Sequence, residues 1–337
     1  MDKSACSSLA YEISIKLNSV GISTWLEYGS ALGAVRDGGW AKGDDDIDLG
    51  IWWKDWDRMK TIVSEIDANV YFTHCHSGGQ FCHIKSVDKN SEVPNKFTGA
   101  KGEIEYPRVE IFGFQEDGVR ASPINYWGND NYTPAFKSKA YYQKNLKKIK
   151  FEGLYFYVSK YAEKYLDYMY KDVGGEGMTW RTPLDRSEIN DWEGDLWSMR
   201  NLDTITCYTE GVFDLFHKGH VRLLKRMSNV FDKVYASVTP DEVVKKYKNS
   251  PIMPFEDRVE MLESCKYVDE VITSCPNSTY TIDWMEDNGV DYLVHGRTNE
   301  EFLRVWYDEI MNENRLFLFD ETEGYHTQDL IKKCQIK

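Results

Sequence analysis

Short apolar runs and amphipathic stretches alternate along the second half of this chain. Strand-like runs cover Thr204–Tyr208, Lys233–Val238, Glu270–Thr273, Asp291–Val294 and Leu316–Phe319. Helical spacing covers Val221–Phe231, Phe255–Cys265, Thr279–Asn288 and Glu300–Asn312, the first marked by Val221, Leu223, Leu224, Met227 and Val230. Such alternation predicts a parallel sheet covered on both faces, with ligands beyond the carboxyl ends of its strands. The first half is patterned differently. A strand leads into Gly29 and Ser30, a short helix follows, and Ile47–Ile51 reads as a second strand, which predicts an α+β unit. From Gly174 to Asn201 periodic apolar residues are few and Pro183 marks a turn. The chain therefore divides into 1–175, a connector over 176–202, and 203–337. Trp180, Trp192 and Trp197 predict that the connector packs on one or both domains.

Composition narrows the class. At 337 residues there is room for two domains of ordinary size, and a hydrophobic share of 42% supports a core in each. The formal net charge of −14 argues against a nucleic-acid partner and against docking on anionic lipid through a basic patch. Met1 to Cys6 lacks the apolar core of a signal peptide, and no run is long enough to span a bilayer. Seven scattered cysteines, an odd number without a Cys-x-x-Cys pair, read as reduced thiols and predict a cytoplasmic location.

Chemistry concentrates in two places. Tyr208 to His220 reads YTEGVFDLFHKGH, and its last four residues fall where a strand gives way to a helix. A helix N-terminus presents free backbone N–H groups and the positive end of the dipole, a ready phosphate site. Gly219 removes the side chain that would hold a phosphate away, while His217 and His220 can donate hydrogen bonds. That layout stabilises charge growing on the α-phosphate of a nucleotide as pyrophosphate leaves. A lone His-x-Gly-His is ordinarily an unreactive loop; the whole run points to chemistry.

The run resembles the cytidylyltransferases that make CDP-choline, CDP-ethanolamine and CDP-glycerol. Four further stretches follow in that family's order: Asp241 and Glu242 with Lys246 and Lys248, Phe255 to Arg258, Tyr267 to Val271, and Asp291 to Gly296. The resemblance implies a Rossmann-like parallel α/β cytidylyltransferase domain that takes CTP and an alcohol phosphate. It makes His217, His220 and Lys248 catalytic, and places Gly211, Phe213, Asp214, Gly219, Arg258, His295, Arg297 and Thr327 about the nucleotide. Two departures stand out. The family's closing RTxGxST reads ETEGYHT from Glu321 to Thr327, with an acidic residue where an arginine should face triphosphate and His326 in place of serine. Arg297 and Thr298 stand where acidic residues often follow His-Gly. Either Arg297 has taken over the phosphate contact or the CTP site is weakened.

The second place is acidic. Gly29 and Ser30 precede GDDDIDL, residues 43–49, in which Asp46 and Asp48 share one face of a strand. Paired carboxylates repel unless a cation lies between them, and hard oxygen ligands with open positions suit Mg²⁺. Glu110 can bring a third carboxylate from another strand. Acidic runs are mostly solvated loops, but the flanking glycine-serine and strand favour a metal site. Together with Phe81–Lys85, Glu110–Phe112 and Phe151–Tyr170, these residues resemble the nucleotidyltransferase-fold LicD/fukutin-related phosphotransferases. The resemblance implies that Gly29 and Ser30 hold donor phosphate, that Asp46, Asp48 and Glu110 bind Mg²⁺ with Asp48 also catalytic, and that Arg36 and Lys85 neutralise a diphosphate. Asp44 and Asp45 would support that set.

A cytidylyltransferase makes a CDP-alcohol and a LicD-like domain consumes one. One chain holding both predicts a bifunctional enzyme that forms a CDP-alcohol and passes its phospho-alcohol to a glycan or glycolipid hydroxyl, releasing CMP. Choline, ethanolamine and glycerol phosphate all remain open, as does a homodimer through the second domain. Two rival readings stay open: a second domain that only senses CTP, and a first domain that places a nucleotide on a small molecule. Trp52, Trp53, Trp56 and Trp127 can cage a quaternary ammonium or simply form core. His74, Cys75, Cys82 and His83 can be drawn as a zinc site, but a hairpin around Ser77–Gly79 is the plainer reading.

Overall fold

The computed structural model describes residues 3–44, 46–66, 69–74, 80–85, 108–123, 138–170, 180–181, 204–246, 249–273, 276, 279–320, 322 and 327–335, with 69–74, 80–85, 108 and 335 described as backbone alone. The chain divides into two compact units, Met1–Asp203 and Thr204–Lys337. Of the expected connector, Trp180 and Arg181 are described, and both pack on the first unit. The Trp180 indole donates to Asp167 at 2.7 Å, and Arg181 pairs with Asp167 and Glu163. Trp192 and Trp197 lie outside the described residues. No helix among the described residues is long and apolar enough to cross a membrane.

The first unit runs α1 (Lys3–Ser19), β1 (Thr24–Leu26), α2 (Tyr28–Arg36), β2 (Asp46–Trp52), α3 (Trp56–Val63), β3 (Asn69–His74), β4 (Gln80–Lys85), β5 (Arg108–Asp117), β6 (Arg120–Pro123), β7 (Ser138–Lys139), α4 (Ala140–Lys144), β8 (Leu146–Phe151), β9 (Leu154–Ser159) and α5 (Ala162–Met169). Its main sheet has the order β1-β2-β5-β4-β3, extended by β6 on β5 and β7 on β6. Only β2 and β5 run parallel among the described pairings of this sheet. Alternation along β2 separates core from chemistry. Ile47, Leu49 and Ile51 face a core shared with Val109 and Ile111 of β5 and with Cys6, Ala10, Ile13 and Leu17 of α1. Asp46 and Asp48 occupy the other face. β3 and β4 form an antiparallel hairpin that places Phe72 opposite Cys82 and Tyr71 opposite His83. His74 and His83 therefore fall on opposite faces of the hairpin, which does not suit a zinc site; Cys75 lies outside the described residues.

In the second unit β10 (Thr206–Gly211), α6 (Lys218–Ser228), β11 (Lys233–Val238), α7 (Asp241–Val244), α8 (Phe255–Glu263), β12 (Glu270–Val271), α9 (Ile282–Asp287), β13 (Tyr292–Gly296), α10 (Glu300–Asn312), β14 (Leu316–Phe319) and α11 (Thr327–Gln335) follow one another. The sheet is parallel throughout, in the order β12-β11-β10-β13-β14. The order reverses at β10, so a crevice opens beyond the carboxyl ends of β10 and β13. At the opposite end, aspartates just before three strands take a neighbour's N–H: Asp232 that of Ile205 (2.7 Å), Asp269 that of Val234 (2.8 Å) and Asp291 that of Thr206 (2.9 Å). These side chains end the ladder, which is why β10 starts at Thr206 rather than Thr204. It then runs on to Gly211, paired with Val238. The helix expected from Val221 starts at Lys218, because His217 caps it.

Gly50 of β2 lies opposite Trp25 of β1, and a Cβ there would sit 2.4 Å from the indole Nε1. Trp25 is 1% exposed and has no room to withdraw. Gly50→Ala should therefore destabilise the first unit by about 1–3 kcal/mol through overpacking. Chemical denaturation checks this, and an unchanged midpoint would contradict the packing described.

Candidate functional site

In the first unit the register builds an acidic centre. Asp48 of β2 lies directly across from Glu110 of β5, and Asp46 is two positions before Asp48 on the same face. One carboxylate oxygen from each of Asp46, Asp48 and Glu110 lies within 4.8 Å of the others. Three hard oxygen donors at that spacing fit a magnesium ion with positions left for phosphate oxygens. The first turn of α2 holds the strand in place. Asp48 donates its N–H to Ser30 Oγ at 2.9 Å, and its carbonyl accepts the Glu27 N–H at 3.0 Å. Ser30 thus ties α2 to β2 through its side-chain oxygen. Gly29 allows a close approach, since a Cβ there would meet Asp44 Oδ2 at 2.9 Å.

Arg36 falls on α2 and Lys85 on β4. Arg36 ends α2, six residues beyond Ser30 or about 9 Å along the axis. Its guanidinium pairs with Asp37 and donates to the Trp180 carbonyl. Lys85 closes β4, and its backbone lies two positions beyond His83, which pairs with Glu110. Asp45 and Trp127 lie outside the described residues. Trp53 and Trp56 stack at 5.0 Å with Trp56 buried, so they serve as core rather than as a cage. Sequence alone assigns no role to Glu27, which is buried among Trp25, Gln143 and Tyr165. Burial pushes its carboxyl up to about 7, against the opposing hydrogen bonds of those three side chains.

In the second unit the two histidines cap their own helix. Gly219 N–H donates to His217 Nδ1 at 3.1 Å, and His217 N–H donates to His220 Nδ1 at 3.3 Å. With each Nδ1 accepting, the proton of each neutral ring sits on Nε2. Both rings are thereby fixed as Nε2–H donors, stacked 3.8 Å apart. His217 Nε2 reaches Thr327 Oγ1 at 3.2 Å, which brings the N-terminus of α11 to the site. Burial, helped by the neighbouring His217, lowers His220 to about 3, while Asp214 opposes the shift. His220 therefore acts as a neutral donor. Phe213 and Phe216 pack against its ring.

Two residues expected at the nucleotide hold the protein instead. Arg258 is fully buried, and all five of its N–H donors are taken within the protein. They go to the carbonyls of Met253, Val212 and Thr239 and to the Asp241 carboxylate. No donor is left for a nucleotide, which corrects that expectation: Arg258 ties together the loops after β10 and β11. Asp214 likewise turns its carboxylate to the backbone N–H groups of Leu215, Ile252 and Met253. Gly211 ends β10 against the Phe213 ring, and His295 lies in β13 with its Nδ1 2.6 Å from the Gly296 carbonyl. Arg297 is exposed and paired with Asp320 at 2.7 Å. Lys248, Glu321 and His326 lie outside the described residues. A further carboxylate, missed in the sequence, is Glu210 near the end of β10. It accepts hydrogen bonds from Thr239 (2.9 Å) and Tyr280 (2.5 Å), and Tyr280 stacks on Tyr307.

The His220 shift carries a sign. The unfolded chain binds a proton on this ring near pH 6.5 and the folded chain only near 3, so stability is retained above 6.5 and lost as pH falls through that window. Lowering pH from about 7.5 to about 5.5 should cost the second unit roughly 1.4 kcal/mol through this group. His220→Gln should remove that component, read from hydrogen exchange of the β10 amides. Equal pH slopes in wild type and variant would refute a buried neutral His220.

Comparison with known proteins agrees with both geometries. Residues 21–159 match the family described as LicD/FKTN/FKRP, nucleotidyltransferase domain, and residues 208–334 match the cytidylyltransferase-like family. Choline-phosphate cytidylyltransferase A of Rattus norvegicus is 30% identical over 135 residues, covering 38% of this chain and 36% of that protein. Ethanolamine-phosphate cytidylyltransferase of Mus musculus is 30% identical over 131 residues, covering 38% and 32%. The chain thus spans about a third of the length of these relatives. A lipopolysaccharide core biosynthesis protein from Thermoplasma volcanium is similar over 36% of this chain and 100% of its own, at 20% identity and a TM-score of 0.31. This chain joins a LicD-type nucleotidyltransferase domain to a cytidylyltransferase-like domain.

Proposed function

We propose that the protein makes a CDP-alcohol in its second unit and uses it in its first. The observation that carries this reading is the pairing on one chain of a donor-lined helix N-terminus with a three-carboxylate centre. The first site suits nucleotide activation and the second suits transfer from a diphosphate. In the second unit an oxygen of the alcohol phosphate attacks the α-phosphorus of CTP, and pyrophosphate leaves. His217 and His220 stabilise the developing charge through their Nε2–H groups, and no covalent intermediate forms. Glu210, half-buried beside Tyr280 and Tyr307, complements a cationic head group and favours choline or ethanolamine phosphate over glycerol phosphate.

In the first unit an acceptor hydroxyl attacks the distal phosphorus of the CDP-alcohol, and CMP leaves. Asp46, Asp48 and Glu110 would hold a magnesium ion, which would supply charge neutralisation at the diphosphate. The Ser30 hydroxyl orients a phosphate oxygen, and one of the carboxylates accepts the hydroxyl proton as the new bond forms. A glycan or glycolipid is the acceptor class that the LicD resemblance implies.

Incubation with CTP, Mg²⁺ and a panel of alcohol phosphates tests the first reaction, with pyrophosphate release as readout. His217→Ala should lower that rate by roughly 10²–10³ through loss of one donor. It should leave CMP release from supplied CDP-alcohol and acceptor intact. Asp48→Asn should do the reverse. No pyrophosphate release with any of them would reduce the second unit to a CTP-binding module, and release that needs no alcohol phosphate would make it a CTP hydrolase rather than a CDP-alcohol synthase. If His217→Ala also abolished transfer, the two sites would not be separate.

A further inference from the structure

No role for Glu27 follows from the sequence, yet it is among the most enclosed carboxylates described, at 1% exposure. It is the last residue before α2. Its side chain accepts from the Trp25 indole of β1 at 2.5 Å, from Gln143 of α4 at 3.4 Å and from the Tyr165 hydroxyl of α5. Three separate elements thus converge on one residue. Its main chain is committed too: the N–H donates to Asp48 and the carbonyl accepts from Ala31 at 2.9 Å. Asp48 in turn gives its own N–H to Ser30, one turn along. Both backbone hydrogen-bonding groups of Asp48 therefore end on the turn that Glu27 anchors. No side chain caps this helix, and β1 is only three residues long, so local structure alone fixes that turn weakly.

We propose that Glu27 is the positioning residue of the acidic centre: its buried carboxylate fixes the first turn of α2, and that turn sets Asp48 against Asp46 and Glu110. Glu27 is not itself a ligand, because its oxygens face Trp25, Gln143 and Tyr165 and stand outside the clustered donor set. The inference rests on the reading of that centre as a cation site.

The test uses the full chain with Mn²⁺ as probe, free ion being counted by electron paramagnetic resonance, and with hydrogen exchange of β2 measured without metal. Glu27→Ala should weaken Mn²⁺ binding by about tenfold or more, the usual effect of losing a partner that orients a ligand. It should also speed exchange of the β2 amides. Glu27→Gln, which keeps an acceptor for Trp25 and a polar partner for Tyr165, should stay within about threefold of wild type. Met59→Ala, a buried change on α3 away from the centre, should lower the melting temperature yet leave Mn²⁺ affinity within the same range. Should Glu27→Ala fail to fold, Tyr165→Phe and Trp25→Phe each remove one donor and should weaken Mn²⁺ by a smaller factor.

Glu27→Ala binding Mn²⁺ like wild type would overturn the proposal, as would an equal loss in Met59→Ala. Failure of the cation reading looks different: Asp48→Asn would leave Mn²⁺ affinity unchanged. Exchange then decides alone. Faster exchange of β2 in Glu27→Ala but not in Met59→Ala supports positioning, and equal exchange in the two rejects it.

Discussion

Three carboxylates held within 4.8 Å repel one another, and the first unit is organised around opposing that repulsion. At about 4 Å and an effective dielectric near 20, each pair of full charges costs about 4 kcal/mol. Backbone rigidity holds these positions, and Arg36, the arginine that ends α2, is turned to Asp37. Parallel pairing of β2 with β5 fixes the register of Asp48 and Glu110. The opposite face of the same strands is anchored in the core by Ile47, Leu49, Val109 and Ile111. A strand that is greasy on one side cannot slip by one residue without burying its acids, so packing and chemistry enforce the same register.

The second unit handles phosphate chemistry by the contrary means. Its histidines are oriented by reciprocal capping, burial keeps His220 neutral, and both rings offer directed N–H groups. Direction suits a transition state in which charge builds at one place, because donors set beforehand need no rearrangement when it appears. Rigid surroundings keep them so. Arg258 spends all five donors within the protein and Asp214 accepts three backbone N–H groups, which leaves the loops around the crevice little freedom.

Much of this was legible in the sequence, for identifiable reasons. The parallel sheet followed from strand–helix alternation, and its strand order agrees with ligands lying beyond β10 and β13. Asp46 and Asp48 could be placed on one face by period alone, and the choice of Glu110 needed only a neighbouring strand. Short motifs misled where a residue type was read as a role. Arg258 sits in a family signature, but an arginine can serve a nucleotide or a loop, and only its four partners decide. Glu27 and Glu210 were invisible because their partners come from distant segments: Tyr165 is 138 residues from Glu27, and Tyr280 is 70 from Glu210. α1 was missed for a related reason. Its buried face includes Cys6, Ser7, Ala10 and Ser14, small or weakly polar residues that carry little apolar signal.

The link between His217 and Thr327 has a consequence for how the protein comes into being. The two residues touch across 110 positions of sequence. Synthesis runs from the amino end, so the histidines emerge long before the threonine that meets them. A nascent chain can complete the acidic centre of its first unit while the nucleotide crevice still lacks one wall. Premature termination anywhere between β14 and α11 would then yield a product with a whole sheet and an unfinished crevice. Such a fragment would be well folded by most optical criteria and still unable to close around its nucleotide.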